Sequence, residues 1–161
     1  MPEIRQYKPT MKFAVLSCFR ACVEALGWDY DPQGKHADML DIGGTYMKGG
    51  NFWCLCEDGA IVGTAAVRPI GEGNRAAEMR RLYVLPEYQG RGYGGMLFRH
   101  ALDYAKEAGF RSIRLSTRHD RQAALRLIEK HRFRKIELYG GNNFAELFFE
   151  LDLNDYKTDN R

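Results

Sequence analysis

A chain of 161 residues with 45% apolar and 28% charged side chains is ordinary for a globular protein and long enough to fill one hydrophobic core. No apolar run approaches the roughly 20 residues of a membrane span, and the opening MPEIRQYKPT has no apolar export core. The expectations are therefore a cytoplasmic protein, no membrane partner and, with a net charge of only +3, no case for nucleic acid.

In chain order, EIRQY reads as a short opening strand, and Pro9-Thr10 starts a helix with Thr10 as its cap. Phe13, Leu16, Ala21, Val23 and Leu26 give that helix a broad apolar stripe, and Gly27 ends it. DPQGKHADMLDIGG, broken by Pro32, Gly34 and Gly43, has room only for a short helix. NFWCLCE and AIVGTAAVRPI are strand-like runs joined by Asp58-Gly59, a hairpin signal. After the turn-rich GEGN, RAAEMRRLYVL completes an antiparallel meander of three.

The period changes to helical over GYGGMLFRHALDYAKEA, which Gly109 stops. RSIRLST then makes strand–helix–strand, implying a parallel right-handed crossover. Asp120 is the expected cap of a helix over RQAALRLIEKH. FRKIELY and NFAELFFEL, separated by GGNN, form a closing hairpin. The result is a single mixed α/β (α+β) domain over 1–153, followed by a polar, frayed tail over 154–161.

Cysteines at 18 and 22 have helical spacing, and those at 54 and 56 have strand spacing, so buried reduced thiols are expected rather than a zinc or redox motif. His36, His100, His119 and His131 show no ligand spacing, and no metal is expected. Charge is uneven: residues 75–135 hold 15 Lys/Arg against 6 Asp/Glu, which suits an anionic ligand on the middle of the chain. The acidic balance outside that stretch suits a cationic amine.

Gly90-Arg91-Gly92-Tyr93-Gly94-Gly95 satisfies G-x-G-x-x-G. A dinucleotide turn would follow a first strand directly and be trailed by a ribose-binding acid about 20 residues on. Here the third strand of a meander precedes the glycines, Pro86-Glu87-Tyr88-Gln89 intervenes, and the next strand ends in Ser116-Thr117-Arg118. Bare backbone N–H groups at a helix N-terminus beside Arg91 still make an anion site, and a pyrophosphate is its natural guest.

Val84-x-Pro86-x-x-Gln89-Gly90-Arg91-Gly92-Tyr93-Gly94 resembles the Q/R-x-x-G-x-G/A signature of the GCN5-related N-acetyltransferase (GNAT) family. Glu78–Val84 resembles the family's fourth strand, Ile61–Ala65 its third, and Ile128–Phe133 a degraded Y-E-K-x-G-F. The resemblance covers most of the chain. It implies a mixed sheet with meander, parallel fourth and fifth strands that splay apart, and a C-terminal hairpin.

The resemblance further implies acetyl-CoA as co-substrate. The backbone of Leu82, Tyr83 and Val84 would pair with its pantetheine arm, and that of Gln89, Gly90, Arg91, Gly92, Tyr93, Gly94 and Gly95 would hold its pyrophosphate. Arg121 stands where relatives place a cofactor-binding Asn. MRRLYV puts charges on both faces, which is compatible with a bulge. The resemblance makes the Leu82 N–H the oxyanion donor and Glu78 the general base. The alternative for Glu78 is an ordinary partner of Arg80 or Arg81.

Ile128 replaces the usual acid Tyr, which leaves Tyr139, solvent or no acid at all. The expected activity is direct N-acetylation of a primary amine on a small or amino-acid-like acceptor. Alternatives are a protein N-acetyltransferase and a non-catalytic CoA-binding module. FAELFFEL is a candidate homodimer strand, with core strand the equal alternative.

Overall fold

The computed structural model describes residues 1–73, 75–139 and 144–158. The chain runs β1 (Glu3–Gln6), α1 (Lys12–Ala25), α2 (Ile42–Tyr46), β2 (Asn51–Glu57), β3 (Ala60–Ile70), β4 (Ala76–Val84), α3 (Tyr93–Glu107), β5 (Ser112–Thr117), α4 (Gln122–Lys130), β6 (Arg134–Ile136) and β7 (Leu147–Asp152). Among the described residues these strands form one sheet in the order β1-β2-β3-β4-β5-β7-β6. The first four pair antiparallel, β4 and β5 pair parallel, and β5, β7 and β6 pair antiparallel. This is the expected mixed α/β sheet.

Local chemistry sets the joints. Asp58 and Gly59 both take positive φ (52° and 80°), as a two-residue turn between twisted strands requires. Gly92, at φ 83°, occupies the cap position of α3 and turns the chain into it. Each face of the sheet is covered. Leu97, Phe98, Ala101, Leu102 and Ala105 of α3 pack on Val67, Ala77, Ile113 and Leu115. On the other face Val15, Phe19 and Cys22 of α1 meet Phe52, Cys54 and Tyr83. Fully burying a side chain of the Leu or Phe type contributes about 1.5–3 kcal/mol, so the two layers clamp β4 from both sides.

Some expectations change at element ends. Thr10 lies in a 3-10 turn, Pro9–Met11, and α1 begins only at Lys12, because the Pro9 ring favours a tight entry turn. Asp120 does not cap α4. Arg121 holds that position without a side-chain capping bond, while Asp120 accepts a hydrogen bond from Trp28 Nε1 (3.2 Å). The strand expected over FRKIELY shrinks to three residues, and GGNN lies outside the described residues.

The tail is docked at its start: Tyr156 is buried, and its hydroxyl donates to Asp103 (2.6 Å). β7 is paired on both edges, by β5 and β6, so the candidate dimer strand is an interior one. Cys18, Cys22, Cys54 and Cys56 are free, and the first three are buried. No helix among the described residues is long and apolar enough to cross a membrane.

Candidate active site

The site grows from one irregularity in β4. Thr64 pairs with Tyr83 and Ala66 with Arg80, so two residues of β4, Arg81 and Leu82, stand opposite Ala65 alone. That is a β-bulge, and Arg81 bears its strain at φ 56°. Several bonds hold it there. The Thr64 hydroxyl donates to the Arg81 carbonyl (2.7 Å). The Arg81 guanidinium donates to both oxygens of Asp38 (2.9 and 2.6 Å) and to the Lys35 carbonyl (2.9 Å). Burial works to raise the Asp38 carboxyl, but the bonds and charge of Arg81, with Arg80 beyond, hold it below its ordinary value. Because Asp38 lies between α1 and α2, this pair also ties that connection over the sheet.

The bulge turns β4 away from β5. Parallel pairing covers Ala76–Glu78 against Ser112–Arg114 and goes no further, although β4 stays paired to β3 through Val84 and β5 to β7 through Thr117. The inner edges of Met79–Tyr83 and Leu115–Thr117 therefore diverge around a cavity of about 120 Å³. A strand edge of this kind presents N–H and C=O groups that need partners. Arg121 supplies one: its guanidinium crosses the gap to the Leu82 carbonyl (2.9 Å) and lies over the Tyr83 ring (4.6 Å).

Beyond Val84 the chain passes through a short 3-10 turn, Pro86–Tyr88, into the glycine loop. The Gln89 side chain donates back to the Val84 carbonyl (2.9 Å), fixing the exit. Gly90 and Gly92 both take left-handed φ (81° and 83°). Among the described residues, no backbone N–H from Gly90 to Gly95 bonds a backbone acceptor. The first to do so is Met96, to the Gly92 carbonyl. This row of free donors at the start of a 15-residue helix is an anion cradle. Arg91 leans toward Glu57 (3.6 Å) and over Tyr88, near the cradle but already engaged.

Glu78 is the last β4 residue paired to β5, just before the strands part. It belongs to a cross-strand row on one sheet face, Arg68, Glu78, Arg114, Glu150 and Arg134, in which charges alternate. Arg68 donates to Glu78 Oε1 (3.0 Å), and Arg80 Nε lies 3.6 Å from the same oxygen. Glu78 is thus both buried and ion-paired, so the partner role considered for it is real, with Arg68 as the closer partner. Beside it lies the buried Tyr139 hydroxyl, which faces the Glu78 carboxylate without reaching good hydrogen-bond geometry. Burial and the Glu78 charge push the Tyr139 pKa up, so the phenol keeps its proton. Thr117 Oγ1 and Arg118 Nε, on the cavity's β5 side, are likewise buried without a hydrogen-bond partner.

The structure therefore brings Leu82, Tyr83 and Arg121 to one cavity. Glu78 is the last β4 residue paired to β5 before the strands part. Val84 ends β4 and Gln89–Gly95 follow along the chain, without lining the cavity. Ile128 lines the cavity as a buried apolar wall and has no proton to give. Arg68, Thr64, Asp38, Thr117 and Arg118 were not expected at the site. The loop over 71–74 leaves the register of β3 on β4 open, so the sequence could not place Arg68 opposite Glu78. The tie between Asp38 and Arg81 spans 43 residues and has no local signal. Among the described residues, no group of three or more His, Cys, Asp or Glu side chains is arranged to hold a metal ion.

The family model described as "Acetyltransferase (GNAT) family" matches residues 19–133. "N-acetyltransferase 8" of Mus musculus is 31% identical over 124 residues, covering 74% of this chain and 53% of its own length. "N-acetylaspartate synthetase" of Danio rerio is 32% identical over 103 residues, covering 63% of this chain and 36% of its own. The chain spans about half the length, or less, of these curated relatives.

Two solved structures share the fold. A GNAT-family acetyltransferase from Staphylococcus aureus Mu50 superimposes with a TM-score of 0.86 at 18% identity, covering 95% of this chain and 99% of that one. A GNAT-family acetyltransferase from Brucella melitensis, in complex with acetyl-CoA, gives 0.69 at 21% identity, covering 94% and 88%. With its loop, its bulged fourth strand and the match across most of its length, this chain belongs to the GNAT acetyltransferase family.

Proposed function

We propose that the protein is an acetyl-CoA-dependent N-acetyltransferase that acetylates the primary amine of a small, amino-acid-like acceptor directly, without an acyl-enzyme. The observation that carries this reading is the gap that opens between β4 and β5 after Glu78, a buried carboxylate, and before the loop of free N–H donors that follows β4 in the chain. The residues fit the co-substrate. The cradle at Gly90–Gly95 suits a pyrophosphate, and the unpaired inner edge at Leu82–Val84 suits the amides of a pantetheine arm. The named activity of the Danio rerio relative, on an amino acid, favours an acceptor of that class.

Acetyl-CoA supplies an activated thioester, and the protein's residues do the rest. A protonated amine has no lone pair, so Glu78 takes its proton, directly or through a water, as the nitrogen attacks. The Leu82 N–H, at the bulge, donates to the thioester oxygen as charge gathers there. Removing such a donor elsewhere costs about 2.7–4 kcal/mol. For the Leu82 and Tyr83 backbone to take the arm, Arg121 must swing off the Leu82 carbonyl. Burial and the Glu78 charge hold the Tyr139 proton tightly, which makes that phenol a poor acid, so with Ile128 in place of the usual Tyr the departing thiolate takes its proton from solvent.

Initial rates measured while acetyl-CoA and amine are varied together test the scheme. Intersecting lines support direct transfer, and parallel lines overturn it. A second reading, a CoA-binding module without turnover, draws on the bond from Arg121 across the gap and on Ile128. Tight acetyl-CoA binding with no turnover on any amine would favour it.

A further inference from the structure

The cavity between β4 and β5 is lined by Lys35, Arg80, Arg81, Arg118 and Arg121, and among the described residues no Asp or Glu lines it. Arg81 is satisfied by Asp38, and Arg121 reaches the Leu82 carbonyl. Arg80 is different. Its nearest carboxylates are Glu78 at 3.6 Å and Asp38 at 4.0 Å, and each is bound more closely by another arginine, Arg68 or Arg81. Among the described residues the Arg80 guanidinium makes ion contacts at these two distances and no hydrogen bond within ordinary range.

A guanidinium carries five N–H donors in a fork shaped for a carboxylate, and the Arg80 side chain, 22% exposed, keeps that fork open to a ligand. Across the gap the Arg118 guanidinium donates to the Phe144 carbonyl (2.5 Å), which leaves its buried Nε with no closer partner than carboxylates at 3.9 Å. This surplus of donors does not serve the pyrophosphate. Four strand residues, about 13 Å, separate Arg80 from Val84, where the chain leaves β4 for the cradle. The amides of a pantetheine arm carry no charge.

We infer that the acceptor is an amine that also bears a carboxylate, held in a fork by Arg80. This deepens the acetyltransferase reading and rests on it. Glu78 and Arg80 are two apart on one strand, so their side chains share a face, and their charged atoms lie 3.6 Å apart. A zwitterionic α-amino acid fits across them, with its ammonium on Glu78 and its carboxylate on Arg80. The acidic balance of the outer segments, which suits a purely cationic amine, is not what faces the cavity. The competing role for Arg80 is a strut between Glu78 and Asp38.

The test compares leucine, phenylalanine and aspartate with their α-carboxamides as acceptors, at saturating acetyl-CoA with the full chain. At least one acid is expected to exceed its amide in kcat/KM by about 10- to 100-fold, as a charge-assisted fork implies. Arg80→Gln should bring that ratio close to one by raising KM for the acid, while acetyl-CoA affinity, read by calorimetry, stays unchanged. Amides used as well as the acids by the unaltered protein would overturn the carboxylate and leave the acetyltransferase reading standing. Arg80→Gln lowering acid and amide equally would make Arg80 a strut and overturn it too. The comparison of acid with amide on the unaltered protein stands even if the variant fails to fold. No turnover on any amine would overturn both readings.

Discussion

Removing the Asp38 carboxylate is the sharpest perturbation of the framework behind the site. The Asp38 and Arg81 side chains are each only 9% exposed, and their closest contact is 2.6 Å. Asp38→Ala leaves a buried guanidinium with only the Lys35 carbonyl and a distant stack on Phe19. Breaking one side of a buried pair costs about 3–5 kcal/mol, mostly through the charge left behind. At roughly 2–4 °C per kcal/mol for a chain of this size, the melting temperature should fall by about 6–20 °C.

Urea unfolding monitored by circular dichroism gives the free energy. Acetyl-CoA titration reports whether the bulge at Arg81 keeps its shape. Asp38→Leu combined with Arg81→Met, which removes both charges, should recover most of the loss. The pH dependence has a definite sign. The folded carboxyl is held below its ordinary value of 3.8, so its contribution is fully present above that value and disappears as pH falls through the folded pKa. Unaltered protein and Asp38→Asn should therefore converge in stability below pH 3.8. A loss under about 1 kcal/mol at pH 7 would refute the claim that this pair locks the bulge.

Three further outcomes follow from the same geometry. His36 is pushed down to about 4 from 6.5 by burial, then by Arg81 and Lys35, and its Nδ1 accepts the Asp31 N–H. Stability should decline as pH falls from 6.5 to 4, and His36→Gln should flatten that decline in pH-dependent melts. Glu78→Gln should lower kcat/KM by about 10²–10⁴-fold with acetyl-CoA affinity intact, and an unchanged rate at every pH would remove Glu78 as the base. Gly92→Ala meets no neighbour within 4 Å, so its effect is backbone strain at φ 83°, about 1–2 kcal/mol. It should also weaken acetyl-CoA binding measured by calorimetry.

The glycine loop was legible in the sequence because its chemistry is local. Bare donors at a helix start follow from a run of glycines before a helical period, and the structure adds left-handed φ at Gly90 and Gly92. The meander was legible for the same reason, with a hairpin turn at Asp58-Gly59 and strand-like runs on either side. The charges on both faces of MRRLYV hinted at the bulge, but not at what secures it. That lock comes from Thr64 on β3 and from Asp38 on a connection whose path no local pattern determines. The Arg68–Glu78 pair was hidden likewise, because a cross-strand partner depends on register. Asp120 shows the opposite failure, since a plausible local cap was outbid by Trp28, 92 residues away.

The central claim is that the gap beyond the Glu78 and Arg114 pairing delivers an acetyl group to an amine. Amine-dependent release of the CoA thiol, with the acceptor checked by mass spectrometry, tests it most directly. Thiol release is expected only when a primary amine is present, with one acetyl group gained by that amine and both lost with Glu78→Gln. Acetyl-CoA that binds yet yields no acetylated amine across amino acids, simple amines and peptides would contradict it.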